Sequence, residues 1–271
     1  MTRSAKKSLF RWIIRTSGLV LLVWVAFAAR SSHVVEPPFP PHEAAGRIIV
    51  LPGIHNTLFH LNGFFQMASL GLPNFALDPQ RWGTPFFGIL NLRAAERNRD
   101  VARRLAADIT QWRREHPEQL LYLMGYSGGG GVASLVLKEL PDDVSVDRVI
   151  LIAPAISRDF DIIRLAADHV TEFVINFSSE KDLQVGLGTR YFGTIDRKYE
   201  YAAGFDGFAA DSERLAHWQW SEADGSFGHH GNHVAYLGRR WQRAFLLPAI
   251  NPDMTRSDLE NLWRERRRSA Q

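Results

Sequence analysis

The sequence predicts an α/β fold, and three observations carry the prediction. Arg47 to Leu51, Val146 to Ala153 and Glu172 to Phe177 are short apolar runs rich in β-branched residues. Such runs read as strands buried on both faces, the pattern of parallel sheets. Helix-like segments lie between them, among them Asp161 to His169. One further apolar run, Leu120 to Met124, enters a glycine-rich turn that leads into a helix-like segment, Val132 to Leu140.

The chain begins with a stretch of a different kind. Leu9 to Ala29 reads as an N-terminal membrane-directed helix: Thr16 to Ala29 carries no charge, and Arg3, Lys6, Lys7, Arg11 and Arg15 precede its core. With the Arg11 and Arg15 turns included, the helix would span about 30 Å, the thickness of a bilayer core. The uncharged core alone has the length of a signal-peptide core, and Ala26-Phe27-Ala28 fits a small-x-small cleavage site. A transmembrane anchor and a cleaved signal therefore both stand for residues 1–30. Either way the basic flank stays inside and the folded domain faces out of the cytoplasm, anchored or secreted. Residues 31–46, with Pro37, Pro38, Pro40 and Pro41, form an extended linker.

The folded domain is expected over residues 47–250. The strand Arg47 to Leu51 ends in Pro52-Gly53-Ile54-His55-Asn56. His55 and His60 read as loop or surface histidines. A helix over Thr57 to Leu70 and a strand over Asn74 to Leu77 follow. Asn91 to His116 reads as one helix stopped by Pro117, and its Arg93 to Arg104 charges read as a solvated face. Leu120 to Met124 leads to Gly125-Tyr126-Ser127-Gly128-Gly129. A strand turning sharply into a helix strains the residue at the turn, and its neighbours must then lack side chains. The turn exposes the Ser127 hydroxyl beside a helix N-terminus, whose free N–H groups stabilise negative charge. The alternative, a phosphate-binding turn, lacks the Lys of G-x-x-x-x-G-K-[ST].

Beyond Glu172 to Phe177 come Glu180 and Asp182, and Asp182 also reads as a helix cap. Residues 186–227 are rich in aromatics, expected mostly as core, with Ala203 to Phe208 a candidate cover or acyl pocket. Leu215 to Trp220 is a last strand. Gly228-His229-His230-Gly231-Asn232-His233 precedes an amphipathic helix pattern, Val234 to Leu247. Residues 251–271 are a polar tail or helix, mostly solvated.

From Arg47 to Leu247 the chain resembles the α/β-hydrolase superfamily. The likeness rests on Leu51-Pro52-Gly53, on the G-x-S-x-G elbow Gly125 to Gly129, on Asp182 and on Gly231-Asn232-His233. It looks like poorly characterised bacterial hydrolases with an LPG loop and a GYSGGG elbow. The resemblance implies a mainly parallel sheet with helices on both faces. It also implies a nucleophile Ser127, a base His233 and an acid Asp182, in the order Ser, Asp, His. His230 is the alternative base; Glu180, and more distantly Asp159 and Asp161, are alternative acids. The backbone N–H groups of Ile54 and Gly128 would form the oxyanion hole.

The expected function is a serine hydrolase, esterase- or lipase-like, cleaving esters or thioesters through an acyl-enzyme. No metal or organic cofactor is required. Partners would be a small-molecule or lipid-like acyl ester and, through the leader, a membrane. Acyl transfer to another acceptor, or a non-catalytic membrane-tethered binding protein on the same scaffold, are the alternatives. The absence of cysteine excludes disulfides, thiol catalysis and Cys-type zinc sites. The clustered histidines lack a carboxylate at metal-ligand spacing. Net charge is +3, and much of the basic excess sits at the two ends, so no nucleic-acid surface is implied.

Overall fold

The protein's structure, a computed structural model, describes residues 44–56, 58–85 and 87–270. The expected leader, 1–30, and most of the linker lie outside the described residues. Among the described residues, no helix is long and apolar enough to cross a membrane.

Among the described residues, six strands form one sheet: β1 (Gly46–Leu51), β2 (Phe75–Pro79), β3 (Leu120–Tyr126), β4 (Val146–Ile152), β5 (Val170–Ser178) and β6 (Leu215–Gln219). Their order is β2-β1-β3-β4-β5-β6, and every pairing is parallel. Helices among the described residues include α1 (Leu58–Phe65), α2 (Gly88–Arg93), α3 (Ala95–Glu115), α4 (Gly128–Glu139), α5 (Ile162–His169), α6 (Leu183–Phe192), α7 (Ala203–Asp206) and α8 (Arg256–Ser269). A further helical stretch, 239–250, has a π turn at its centre, Gln242–Leu246.

Alternation along each strand sends neighbouring side chains to opposite faces. Ile49, Leu51, Leu121, Leu123, Val149 and Leu151 join one core with Val101, Leu105 and Ile109 of α3, Val132 and Val136 of α4, and Leu165 of α5. Ile48, Val50, Tyr122, Met124, Ile150 and Ile152 join the other, with Phe64, Phe65, Tyr236, Trp241, Phe245 and Trp263. Helices thus cover both faces, and strands buried on both sides need continuous apolar runs. Pro79 closes β2, an edge strand where a missing N–H costs no ladder bond.

Four expectations change in detail. The strand expected at Asn74 to Leu77 runs two residues further, as β2. The single helix expected over Asn91 to His116 is two: Ala94, at φ −81° and ψ 63°, breaks α2 from α3. The helix expected over Val234 to Leu247 is replaced by a 3₁₀ turn, His233–Leu237, then an extended Gly238 (ψ 130°), then the stretch 239–250. The terminal segment is polar, yet α8 is not simply solvated: Leu259 and Trp263 are buried, and Arg267 binds the buried Asp224 at 3.0 and 2.9 Å.

Arg148 of β4 ties this C-terminal part to the sheet. Its guanidinium is 1% exposed and donates to Glu172 (2.6 Å) and to the carbonyls of Ala249 (2.8 Å), Asn251 (3.0 Å) and Met254 (3.1 Å). It also lies over the Tyr122 and Phe173 rings. Burial pushes the Glu172 carboxyl above its ordinary range despite the neighbouring guanidinium. A buried pair of this kind depends on all its hydrogen bonds being made.

Candidate active site

The sharp turn between β3 and α4 holds Ser127 at φ 56° and ψ −123°. Positive φ is costly for a residue with a side chain and persists only where the surroundings enforce it. Here the Ser127 N–H donates to the Ile152 carbonyl (2.8 Å), and its carbonyl accepts from Gly130, Gly131 and Ala155. The flanking glycines are required by space. A Cβ on Gly125 would lie 2.5 Å from the Gly129 carbonyl oxygen, and one on Gly129 would lie 2.3 Å from that of Leu51. β3 and β1 are paired, so the elbow sits against the loop that leaves β1.

That loop carries Ile54. A Cβ on Gly128 would lie 2.3 Å from Ile54 Cγ2, so the two expected oxyanion donors belong to touching segments. Among the described residues, neither the Ile54 N–H nor the Gly128 N–H donates to another group. The loop is braced by three residues that sequence reasoning missed. Asn91 donates to the Ile54 carbonyl (2.7 Å) and the Thr84 carbonyl (2.6 Å) and accepts from the Thr84 N–H (3.0 Å). Asn56, at φ 50°, accepts from the N–H groups of Trp82 (2.9 Å) and Gly83 (3.0 Å). The Trp82 indole donates to the Pro52 carbonyl (2.7 Å). Asn56 falls inside the Pro52 to Asn56 motif, and its tolerance of positive φ was the one available signal.

Asp182 follows β5 and is fully buried. One carboxylate oxygen accepts from the Val185 N–H at 3.1 Å, capping α6; the other meets His233 Nδ1 at 2.6 Å. The side chain thus caps α6, as expected, and also meets the imidazole. Nδ1 on a carboxylate carries the proton, which leaves Nε2 as the basic nitrogen. His233 opens its 3₁₀ turn, with Asn232 capping the Ala235 N–H (3.1 Å). Gly231 (φ 87°) allows the preceding bend. Its carbonyl accepts from Ser179 Oγ (2.8 Å), and its N–H donates to His229 Nδ1 (3.2 Å). Tyr126, adjacent to Ser127, stacks on the His233 ring (4.7 Å between centroids) and donates its hydroxyl to the His233 carbonyl (2.8 Å).

The alternatives are engaged elsewhere. His230 is exposed. Glu180 accepts from Gln219 (2.6 Å), Asp159 pairs with Lys198, and Asp161 pairs with Arg164 (2.7 Å). His55 is exposed as expected, whereas His60 is only partly exposed and sits on α1. Its ring packs edge-on to Tyr126 (5.3 Å) and beside Gly53. Burial, then the nearby His233 and His55, hold its pKa down at about 3. His229 is fully buried among Trp218, Tyr236 and Trp241, and burial lowers its pKa to about 3. Among the described residues, no cluster of three or more His, Asp or Glu is arranged to hold a metal ion. The candidate cover, Ala203 to Phe208, folds as α7 against β5, with Phe208 in the core.

RedJ, a thioesterase from the prodiginine biosynthetic pathway in Streptomyces coelicolor, is similar at 20% identity and a TM-score of 0.31, over 45% of this chain. This chain spans about half, 46%, of that structure's length. A RedJ structure with a PEG molecule in its active site is similar at 13% identity and a TM-score of 0.36, over 59% of this chain and 80% of the other. EstE1, a thermophilic and thermostable carboxylesterase cloned from a metagenomic library, is similar at 10% identity and a TM-score of 0.38, over 89% of this chain and 83% of the other. No curated protein matches the chain significantly. Residues 44–200, more than half of the chain, match the family described as serine aminopeptidase, S33. The chain therefore belongs to that family of serine hydrolases and is an α/β-hydrolase enzyme.

Proposed function

We propose that the protein cleaves ester or thioester bonds through an acyl-enzyme intermediate. Ser127 Oγ attacks the acyl carbon while His233 Nε2 takes its proton. Asp182 holds the imidazole in the tautomer with Nδ1 protonated and stabilises the imidazolium. The N–H groups of Ile54 and Gly128 receive the tetrahedral oxyanion, a contribution of several kcal/mol in this kind of site. His233 then returns the proton to the leaving alcohol or thiol, and water, deprotonated by the same imidazole, releases the acid.

The observation that carries this reading is the 2.6 Å contact between His233 Nδ1 and the buried Asp182, with the His233 ring stacked on Tyr126, the residue before the positive-φ Ser127. A p-nitrophenyl ester series on wild type and Ser127→Ala tests it. The variant is expected to lose at least about 10³-fold in kcat and to lose fluorophosphonate labelling. Equal rates or equal labelling in both proteins would remove the assignment.

The leader's sequence supports a domain tethered or exported beyond the cytoplasm, joined through the proline-rich linker. Protease protection of the full chain in intact cells tests that placement; degradation of the domain from the cytoplasmic side only would reject it.

A further inference from the structure

A groove that shares no residue with the candidate active site gathers four guanidinium groups. Its walls come from the 3₁₀ turns Gln66–Leu70 and Glu222–Phe227, the helical stretch 239–250 and α8. Its volume is about 650 Å³, the size of a small-ligand site. Arg239, Arg240, Arg243 and Arg266 line it with the apolar Leu70 and Phe227, and no carboxylate does. The local fold enforces this convergence. Trp241, Gln242, Ala244 and Phe245 are buried, which turns the three arginines among them outward. Gln242 anchors the stretch by donating to the carbonyls of Gly63 (2.9 Å) and Tyr236 (3.3 Å). The π turn Gln242–Leu246 carries Arg243, and single π turns of this kind are frequent at functional sites. Arg239 donates to Ser69 Oγ (3.2 Å), and Arg266 donates to the Arg243 carbonyl (3.4 Å).

The rest of the molecule does not offset these cations. Among the described residues, none of the four pairs with a carboxylate. On the elements that form the groove, Asp224 binds Arg267, Glu222 lies 3.6 Å from Lys181, Glu260 binds Arg256, and Asp258 caps α8. Glu265 lines an adjoining hollow that shares Arg266, so it offsets one cation at most. Arg266 is partly buried, and burial lowers its pKa. Holding a guanidinium partly out of water with no anion beside it costs free energy that an anionic ligand would return. Guanidinium forks match phosphate oxygens in bidentate pairs, and four forks exceed what one carboxylate can use. Leu70 and Phe227 supply a wall for a non-polar part of the same ligand. We propose that this groove binds a phosphate-bearing ligand, apart from the nucleophile and independently of the hydrolase reading. A lipid headgroup and a free phosphorylated compound share this chemistry.

Isothermal titration calorimetry on the full chain, in an uncharged detergent at about 0.15 M salt, tests the proposal. The probes are inorganic pyrophosphate, dihexanoyl phosphatidic acid and citrate. Wild type is expected to bind at least one phosphate probe saturably. Arg240→Gln/Arg243→Gln is expected to weaken that binding about tenfold or more. Arg99→Gln/Arg104→Gln, which removes two exposed cations of α3, should stay within about twofold. Tighter binding of dihexanoyl phosphatidic acid than of pyrophosphate supports the proposal with a lipid headgroup as the source. Equal or tighter binding of pyrophosphate supports it with a free phosphorylated compound. No saturable binding of either phosphate probe by wild type would overturn it. So would equal weakening by the two variant pairs, or citrate bound as tightly as the better phosphate probe. If the circular dichroism of the glutamine pair departs from wild type, Arg240→Lys/Arg243→Lys takes its place. That pair keeps both charges and loses both forks, and is expected to weaken binding about threefold, against no change for Arg99→Lys/Arg104→Lys.

Discussion

Asp182 serves two partners through one carboxylate, and the two can be separated. Asp182→Asn keeps an oxygen to cap Val185 but offers an amide where His233 Nδ1–H needs an acceptor. Turnover is expected to fall about 10⁴-fold with the fold retained, as read by ester kinetics and circular dichroism. His230→Ala should leave kcat within about twofold, since that ring is exposed and away from Asp182. His229 makes a different prediction. Its Nδ1 accepts from the Gly231 N–H, so the folded state needs it neutral, and burial holds its pKa near 3. The unfolded chain titrates at the ordinary value of about 6.5, so between those values it binds the extra proton. Stability contributed by His229, and by His60 in the same way, is complete above about pH 6.5 and declines as pH falls towards 3. Thermal unfolding of His229→Asn, which keeps an acceptor for Gly231, should show a shallower acid limb than wild type.

At the scale of elements, the loop after β1 is held by residues far from it in sequence. Asn91→Ala leaves the Thr84 N–H without its acceptor and reduces the Ile54 and Thr84 carbonyls to their longer bonds from Asn56 (3.3 Å) and the Phe87 N–H (3.5 Å). A loss of about 1–3 kcal/mol in stability is expected, with kcat falling more than KM changes, because the Ile54 N–H loses its aim. Urea unfolding and ester kinetics on the same preparation check both. This bracing also marks where sequence reading ran out. The parallel strands and the elbow were legible because each is a local pattern: a continuous apolar run, or glycines where a Cβ would strike backbone. Asp182 was legible by its place after a strand. Asn91 was not, because its partner is 37 residues away and no periodicity reports a hydrogen bond of that reach. The break at Ala94 and the replacement of the expected 234–247 helix were hidden for a related reason. Both segments keep a helical pattern of apolar residues, while the backbone follows contacts with the site loops.

At the scale of the whole molecule, the C-terminal helix and the sheet stand or fall together. Arg148→Ala leaves the half-buried Glu172 and the carbonyls of Ala249, Asn251 and Met254 without this donor and is expected to cost about 3 kcal/mol. The unfolding midpoint should drop by several degrees, while ester turnover well below it stays near wild type. Little change in midpoint would mean that water replaces the guanidinium.

The same arginine sets a condition on synthesis. β4 leaves the ribosome about a hundred residues before the carbonyls of 249–254 that its guanidinium needs, and until they arrive Glu172 of the next strand is its one acceptor among the four described. The domain is therefore expected to gain its resistance to protease only once translation has passed Met254. Growing chains halted earlier should be natural clients of holdase chaperones.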